Sequence, residues 1–144
     1  MFVDRSSNAP RRLFIRLDPG EEVIATLAAL LEEQGAYISA GSITGIGSVR
    51  NAELGFFDSA KGAYARRTLQ EEMELVSFVG NVSWLDGKPF VHAHAVLSGA
   101  EFRPFAGHLF AAEIAVTGEF FYVEGGRKLK REEDRARGLK LIVG

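Results

Sequence analysis

From Arg12 to Leu17 the apolar residues Leu13, Ile15 and Leu17 alternate with polar or larger neighbours, the period-two pattern of a strand buried on one face. The period then changes. Asp18 can cap a helix, Pro19 suits its first position, and Glu21 stands three residues after Asp18 as a capping box requires. Val23, Leu27, Leu30 and Leu31 recur at helical spacing, Ile24 widens the apolar face, and Gly35 supplies the stop. An amphipathic helix between Asp18 and Gly35 is the expectation.

Beyond Gly35 the apolar residues fall into short β-rich runs punctuated by glycine, roughly 36–46, 48–57, 64–69, 73–84, 89–98, 107–122 and a final 139–143. Asp86-Gly87 lies between Val82-Ser83-Trp84 and Pro89-Phe90-Val91, a hairpin-turn signature that makes these two strands neighbours. One early helix followed by many strands predicts an α+β fold, a mostly antiparallel sheet with the helix packed on one face. No internal repeat is visible.

Composition narrows the picture. At 144 residues, with 47% hydrophobic and 25% charged residues, the chain is expected to fold as one domain over 1–126, followed by a tail at 127–144. No cysteine is present, which removes disulfides, thiolate nucleophiles and sulfur-ligated zinc, so any zinc must use His, Asp or Glu. The first twelve residues lack a signal-type apolar core, and no run approaches the ~20 apolar residues of a membrane span, so a cytoplasmic location is the default expectation. Charge is uneven. Residues 1–126 hold ten Lys/Arg against sixteen Asp/Glu, whereas 127–144 hold seven against three. An acidic body argues against a broad DNA-binding face; the basic tail alone could contact phosphate, although Glu132, Glu133 and Asp134 interrupt it and favour a solvated end.

Among motifs, Gly41-Ser42-Ile43-Thr44-Gly45-Ile46-Gly47 resembles a phosphate loop only in glycine content, because position 50 is Arg50 and the following pattern is strand. Strand bending explains these glycines better. The three histidines carry more information. His92 and His94 occupy alternate strand positions, on one face with Cα atoms roughly 6.6 Å apart. His108, after Gly107, could complete an open three-imidazole site on a transition metal; separate, hydrogen-bonded histidines are the plain alternative.

Several segments in order resemble the plants-and-prokaryotes conserved (PPC) domain, from about Leu13 to Val123. They are Leu17-Asp18-Pro19-Gly20-Glu21-Glu22, Ile43 to Arg50, Leu54-Gly55-Phe56-Phe57-Asp58, Glu74 to Ser83, Pro89-Phe90-Val91-His92-Ala93-His94 and Gly107-His108-Leu109. The resemblance implies an α+β domain, a homotrimer, and a metal held by histidines matching His92, His94 and His108. Prokaryotic relatives are often labelled DNA-binding by extension from plant members with AT-hooks, yet this sequence has no Arg-Gly-Arg-Pro, and Gly126-Arg127-Lys128 is not equivalent. The plant Gly-Arg-Phe-Glu-Ile-Leu partner segment corresponds here to Glu71-Glu72-Met73-Glu74-Leu75-Val76, without its Gly-Arg start.

Three functions follow as alternatives. The first is a trimeric protein whose three-His site, with zinc the leading metal, binds or transforms a small ligand. The second is a DNA-associated regulator using three copies of the tail. The third is a partner-binding scaffold with structural histidines. No catalytic residue is identified; Glu74 is the nearest acidic residue within a family-like segment.

Overall fold

The protein's computed structural model describes residues 2–5, 11–35 and 39–143, with the side chains of 2–5 excepted. Helix α1 spans Val23–Glu33, starting later than Asp18 and Pro19 suggest. Glu22 is its N-cap, its carboxylate accepting from the amides of Ile24 at 3.2 Å and Ala25 at 2.5 Å. Half of the expected box forms, on a turn: Asp18 N–H donates to the Glu21 carboxylate at 2.7 Å, while Glu21 N–H donates to the Asp18 backbone carbonyl at 3.2 Å, and Gly20 at φ 88 turns the chain before the helix begins. Two carboxylates thus serve two successive sets of amides. Val23, Leu27, Leu30 and Leu31 form the buried face, Ile24 packs against the core edge, and Gly35 at φ 71 follows the C-cap Gln34.

Strands β1 (Phe2–Arg5) and β2 (Arg12–Leu17) precede the helix; after it come β3 (Gly41–Asp58), β4 (Ala63–Leu69), β5 (Met73–Leu85), β6 (Lys88–Ser98), β7 (Pro104–Glu124), β8 (Lys130–Asp134) and β9 (Leu139–Val143). The 36–38 part of the first expected run lies outside the described residues. The two runs expected at 36–46 and 48–57 are one strand, β3, and the break between them is a bulge at Gly45/Gly47. All strand pairs are antiparallel except one short contact, Trp84 with Lys130. The fold is therefore α+β and mostly antiparallel, as the pattern predicts.

The pairings close a cycle. Strand β3 pairs with β5 and β7, and β6 bridges β5 to β7, so the sheet curls on itself. Phe78, Phe120, Tyr122, Ile43, Leu75 and Leu97 fill its interior, and α1 lies against β6 and β7. Close approach of β3 to β7 needs glycine: a Cβ on Gly45 would run into the Phe120 ring, and one on Gly41 would lie 2.6 Å from the Tyr122 ring. Asp86 and Gly87, at φ 49 and 81, make the tight turn between β5 and β6 with both central residues left-handed, as the Asp-Gly pair predicts.

The tail folds too. Strands β8 and β9 form a hairpin, with Asp134 capping its turn through the amides of Ala136 and Arg137. Most of its side chains are exposed, as a solvated end requires, but Arg131 is only 8% exposed. No helix among the described residues is long and apolar enough to cross a membrane.

Candidate functional site

Strand β6 has two faces. Val91, Ala93, Ala95 and Leu97 point into the core, which leaves His92 and His94 together on the other side. The β6–β7 register sets His108 directly opposite His94. Gly107 lets β7 lie close against β3 just before His108, because a Cβ there would lie 2.7 Å from the Gly55 carbonyl oxygen. The sequence-predicted trio therefore meets: ring centroids are 5.5 Å apart for His92 and His94, 5.0 Å for His92 and His108, and 5.6 Å for His94 and His108.

One nitrogen from each ring lies within 4.8 Å of the others. Metal–nitrogen bonds of about 2.0–2.1 Å need donor nitrogens roughly 3.4 Å apart, a contraction that side-chain rotation can supply. The donor set fits in a second respect. His108 Nδ1 is buried and has no hydrogen-bond partner, and a buried unpaired ring nitrogen costs stability unless something fills it. Burial, reinforced by His92, His94, Arg66 and Arg131, pushes the His108 pKa down to about 4; burial also lowers His92, with Arg131 and His94 adding to it. Both rings are thus neutral at pH 7, the form a metal requires.

Sequence reasoning missed Arg131. Its Nε donates to Ser83 Oγ at 2.6 Å, Nη1 to the Lys140 carbonyl at 2.6 Å and Nη2 to Asn81 Oδ1 at 2.9 Å, with His92 Nδ1 3.3 Å from the same Nη2. A signal existed: the apolar run at 139–143 needs a strand partner, and only 130–134 lies close enough before Gly138 to form a hairpin with it. The hairpin, β4, β6 and β7 line a cavity of about 480 Å³ whose walls include His92, His108, Tyr64, Arg66, Phe90 and Phe110. Arg66 stacks over Phe110 at 3.7 Å, and Phe110 packs on His108 with centroids 4.5 Å apart. Glu74 is elsewhere. It lines an open groove with Ile46 and Val116, seven residues along β5 from Asn81, the residue opposite His92, a separation of roughly 20 Å by strand rise.

The surroundings of the site match known proteins over nearly the whole chain. A metal-containing protein of Archaeoglobus fulgidus is 34% identical, with a TM-score of 0.84, covering 100% of this chain and 99% of its own. A plant- and prokaryote-conserved protein of Pyrococcus horikoshii is 33% identical, with a TM-score of 0.84, covering 99% of this chain and 95% of its own. A Bacteroides thetaiotaomicron protein, provisionally described as DNA-binding, is 26% identical with a TM-score of 0.88, covering 98% and 96%. No protein of curated function matches. The family model described as the Plants and Prokaryotes Conserved (PCC) domain matches residues 4–125, and the chain belongs to that family.

Proposed function

We propose that His92, His94 and His108 hold one divalent transition metal, zinc first among candidates, as the centre of a site that binds a small ligand. The observation that carries this is the trio of imidazoles, one nitrogen of each within 4.8 Å of the others, and the buried, unpartnered Nδ1 of His108 supports it. The metal-containing relative at 34% identity supports it. A metal there would supply a Lewis acid or an activated water. The chain's part is to hold neutral imidazoles on two rigid strands, wall the site with Phe90, Phe110 and Tyr64, and leave one side open to the cavity. Elemental analysis after reloading metal-free protein with zinc tests it: about one ion per chain is expected for wild type, and a sharp loss for His92→Ala and His108→Ala. Equal uptake by wild type and variants overturns it.

The same proposal takes the protein to be a cytoplasmic homotrimer. Supporting assembly, Ile46, Val76, Val79, Val116 and Phe121 are each more than half exposed on β3, β5 and β7. Thr44 pairs with both Val79 and Phe121, which sets those two side chains in one row across the sheet. Light scattering should read three times the 15.7 kDa chain mass, and a stable monomer at micromolar concentration overturns the trimer.

DNA association is the weaker reading. It draws on the provisional description of the Bacteroides protein. Against it, several tail cations are committed elsewhere: Arg131 is buried, Arg137 pairs with Asp134, and Lys128 sits 3.9 Å over the Trp84 ring. Deleting 127–144 should abolish any non-specific DNA binding, and tight sequence-selective binding that survives the deletion would reverse the ranking.

A further inference from the structure

We propose that the cavity beside the histidines takes a small organic carboxylate, shared between Arg131 and the bound metal, so that metal and anion each raise the other's affinity. The inference rests on the three-histidine reading above and adds the ligand's class and its linkage to the ion.

Charge is the first argument. The cavity lining contains Arg131 and Lys140 together with Arg66, whose charge is answered by Glu53, and no Asp or Glu of its own, while the three imidazoles bring no negative charge. A dication placed among neutral ligands beside guanidinium groups meets repulsion that a partly buried setting screens poorly. An anion on the open coordination position removes that repulsion.

Arg131 is the second. Arg16, Arg50, Arg66, Arg103 and Arg137 each pair with a carboxylate, whereas Arg131, the buried one, has no carboxylate partner among the described residues. A buried charge without a counter-charge is costly, and a bidentate fork facing a cavity is suited to a carboxylate. Of its five N–H groups, Ser83, Asn81 and the Lys140 carbonyl take three.

The third argument is the polarity of the contact with His92. Arg131 Nη2 can only donate, so a hydrogen bond across this 3.3 Å contact requires His92 Nδ1 to be the unprotonated nitrogen, with the ring's proton on Nε2. In that state His92 has one lone pair, and Arg131 occupies it. For His92 to ligate a metal, Arg131 must release the ring or the ring must change tautomer and turn an N–H against the guanidinium. A carboxylate accepting from Arg131 in place of His92 resolves the conflict, and metal binding then favours anion binding by the same step.

The walls specify the rest of the ligand. Phe90 lies under both cations, 5.1 Å from the Arg131 guanidinium carbon and 5.8 Å from Lys140 Nζ, while Phe110, Leu139 and Leu141 complete an apolar lining. A cavity of about 480 Å³ with such walls suits an organic body more than a bare inorganic ion.

Zinc affinity, measured by competition with a chromogenic chelator, should tighten at least tenfold in saturating benzoate, and zinc should tighten benzoate by the same factor, since coupling between two sites is reciprocal. Arg131→Gln should bring the factor close to one. If that variant does not fold, Lys140→Gln, at an exposed position of the cavity lining, should still reduce the factor at least threefold. Identical zinc affinity with and without benzoate overturns this inference alone, and no zinc uptake under either condition removes the three-histidine reading with it. Coupling by inorganic phosphate as large as by benzoate overturns the assignment to an organic carboxylate.

Discussion

The glycine–aromatic seam between β3 and β7 and the histidine corner between β6 and β7 lie on the same long strand, yet they are built on opposite terms. In the seam no buried side-chain polar atom among the described residues lacks a hydrogen-bond partner. Phe120 packs edge-on against Phe78 with centroids 5.1 Å apart, Gly45 leaves room for its ring, and the buried Tyr122 hydroxyl donates to the Ser39 carbonyl at 2.7 Å. Burial pushes that phenol up to about 12, so it stays a neutral donor throughout the physiological range. In the corner, His108 Nδ1 is buried without a partner and Arg131 is buried without a counter-charge. Regions where local rules are all met hold a fold together, and regions that break them mark sites kept for something other than stability.

The seam should therefore break the protein most. Phe120→Ala removes a fully buried ring from a packed interior and is expected to cost about 3–5 kcal/mol, read as a lower denaturant midpoint with an unchanged slope. Gly45→Ala comes next, at about 1–3 kcal/mol, because its methyl group would overlap the Phe120 ring and lie 2.8 Å from the Glu119 carbonyl oxygen. A neutral result for either would mean that the seam is not the dry, close-packed region its geometry describes.

Acid should act through the corner. The unfolded chain binds a proton at His108 near pH 6.5, while the folded protein refuses it until about pH 4. The unfolded state thus holds more protons in that window, and stability must fall as pH falls. The contribution is fully present above 6.5, declines between 6.5 and 4, and is gone below about 4. Because the ring is partly solvent-screened, its size is about 1 kcal/mol. In metal-free protein, His108→Phe should flatten the wild-type slope of stability over this range, and an unchanged slope would place the acid sensitivity elsewhere.

How much of this was legible beforehand follows the reach of each signal. Alternation and helical spacing carry β2 to β7, β9 and the buried face of α1, because those patterns are local, whereas β1 and β8 are not among the runs they predict. The Asp86-Gly87 turn and the His92/His94 pair were legible for the same reason. The helix start was misplaced: Asp18 and Glu21 have the spacing of a cap, but Glu22 also finds the amide of Ala112, 3.1 Å from its Oε1, and this contact from β7 helps anchor the cap at the later position. The continuity of β3 through Gly47 depends on β5 and β7 holding both sides of the bulge, which no local pattern encodes. In the sequence Arg131 is one cation in a solvated tail, since its burial comes from Asn81 and Ser83 some fifty residues earlier in the chain.

The smallest expected effect on stability sharpens the comparison best. His94 is the exposed member of the trio, and its partner across the strands is the also exposed Val79 on one side and His108 on the other. Replacing it by alanine removes little buried surface and no hydrogen bond that holds the sheet, so His94→Ala should leave the unfolding free energy within about 0.5 kcal/mol of wild type. Its zinc content should nonetheless collapse, because two imidazoles without a carboxylate are a poor site for a dication. Thermal unfolding and elemental analysis of the same preparation read both quantities. An intact fold with lost metal separates the two regions as the geometry divides them. If His94→Ala unfolds the protein, the corner is a structural element like the seam; if it keeps its zinc, the ion is not held by the trio, and in either case the contrast between the two regions fails.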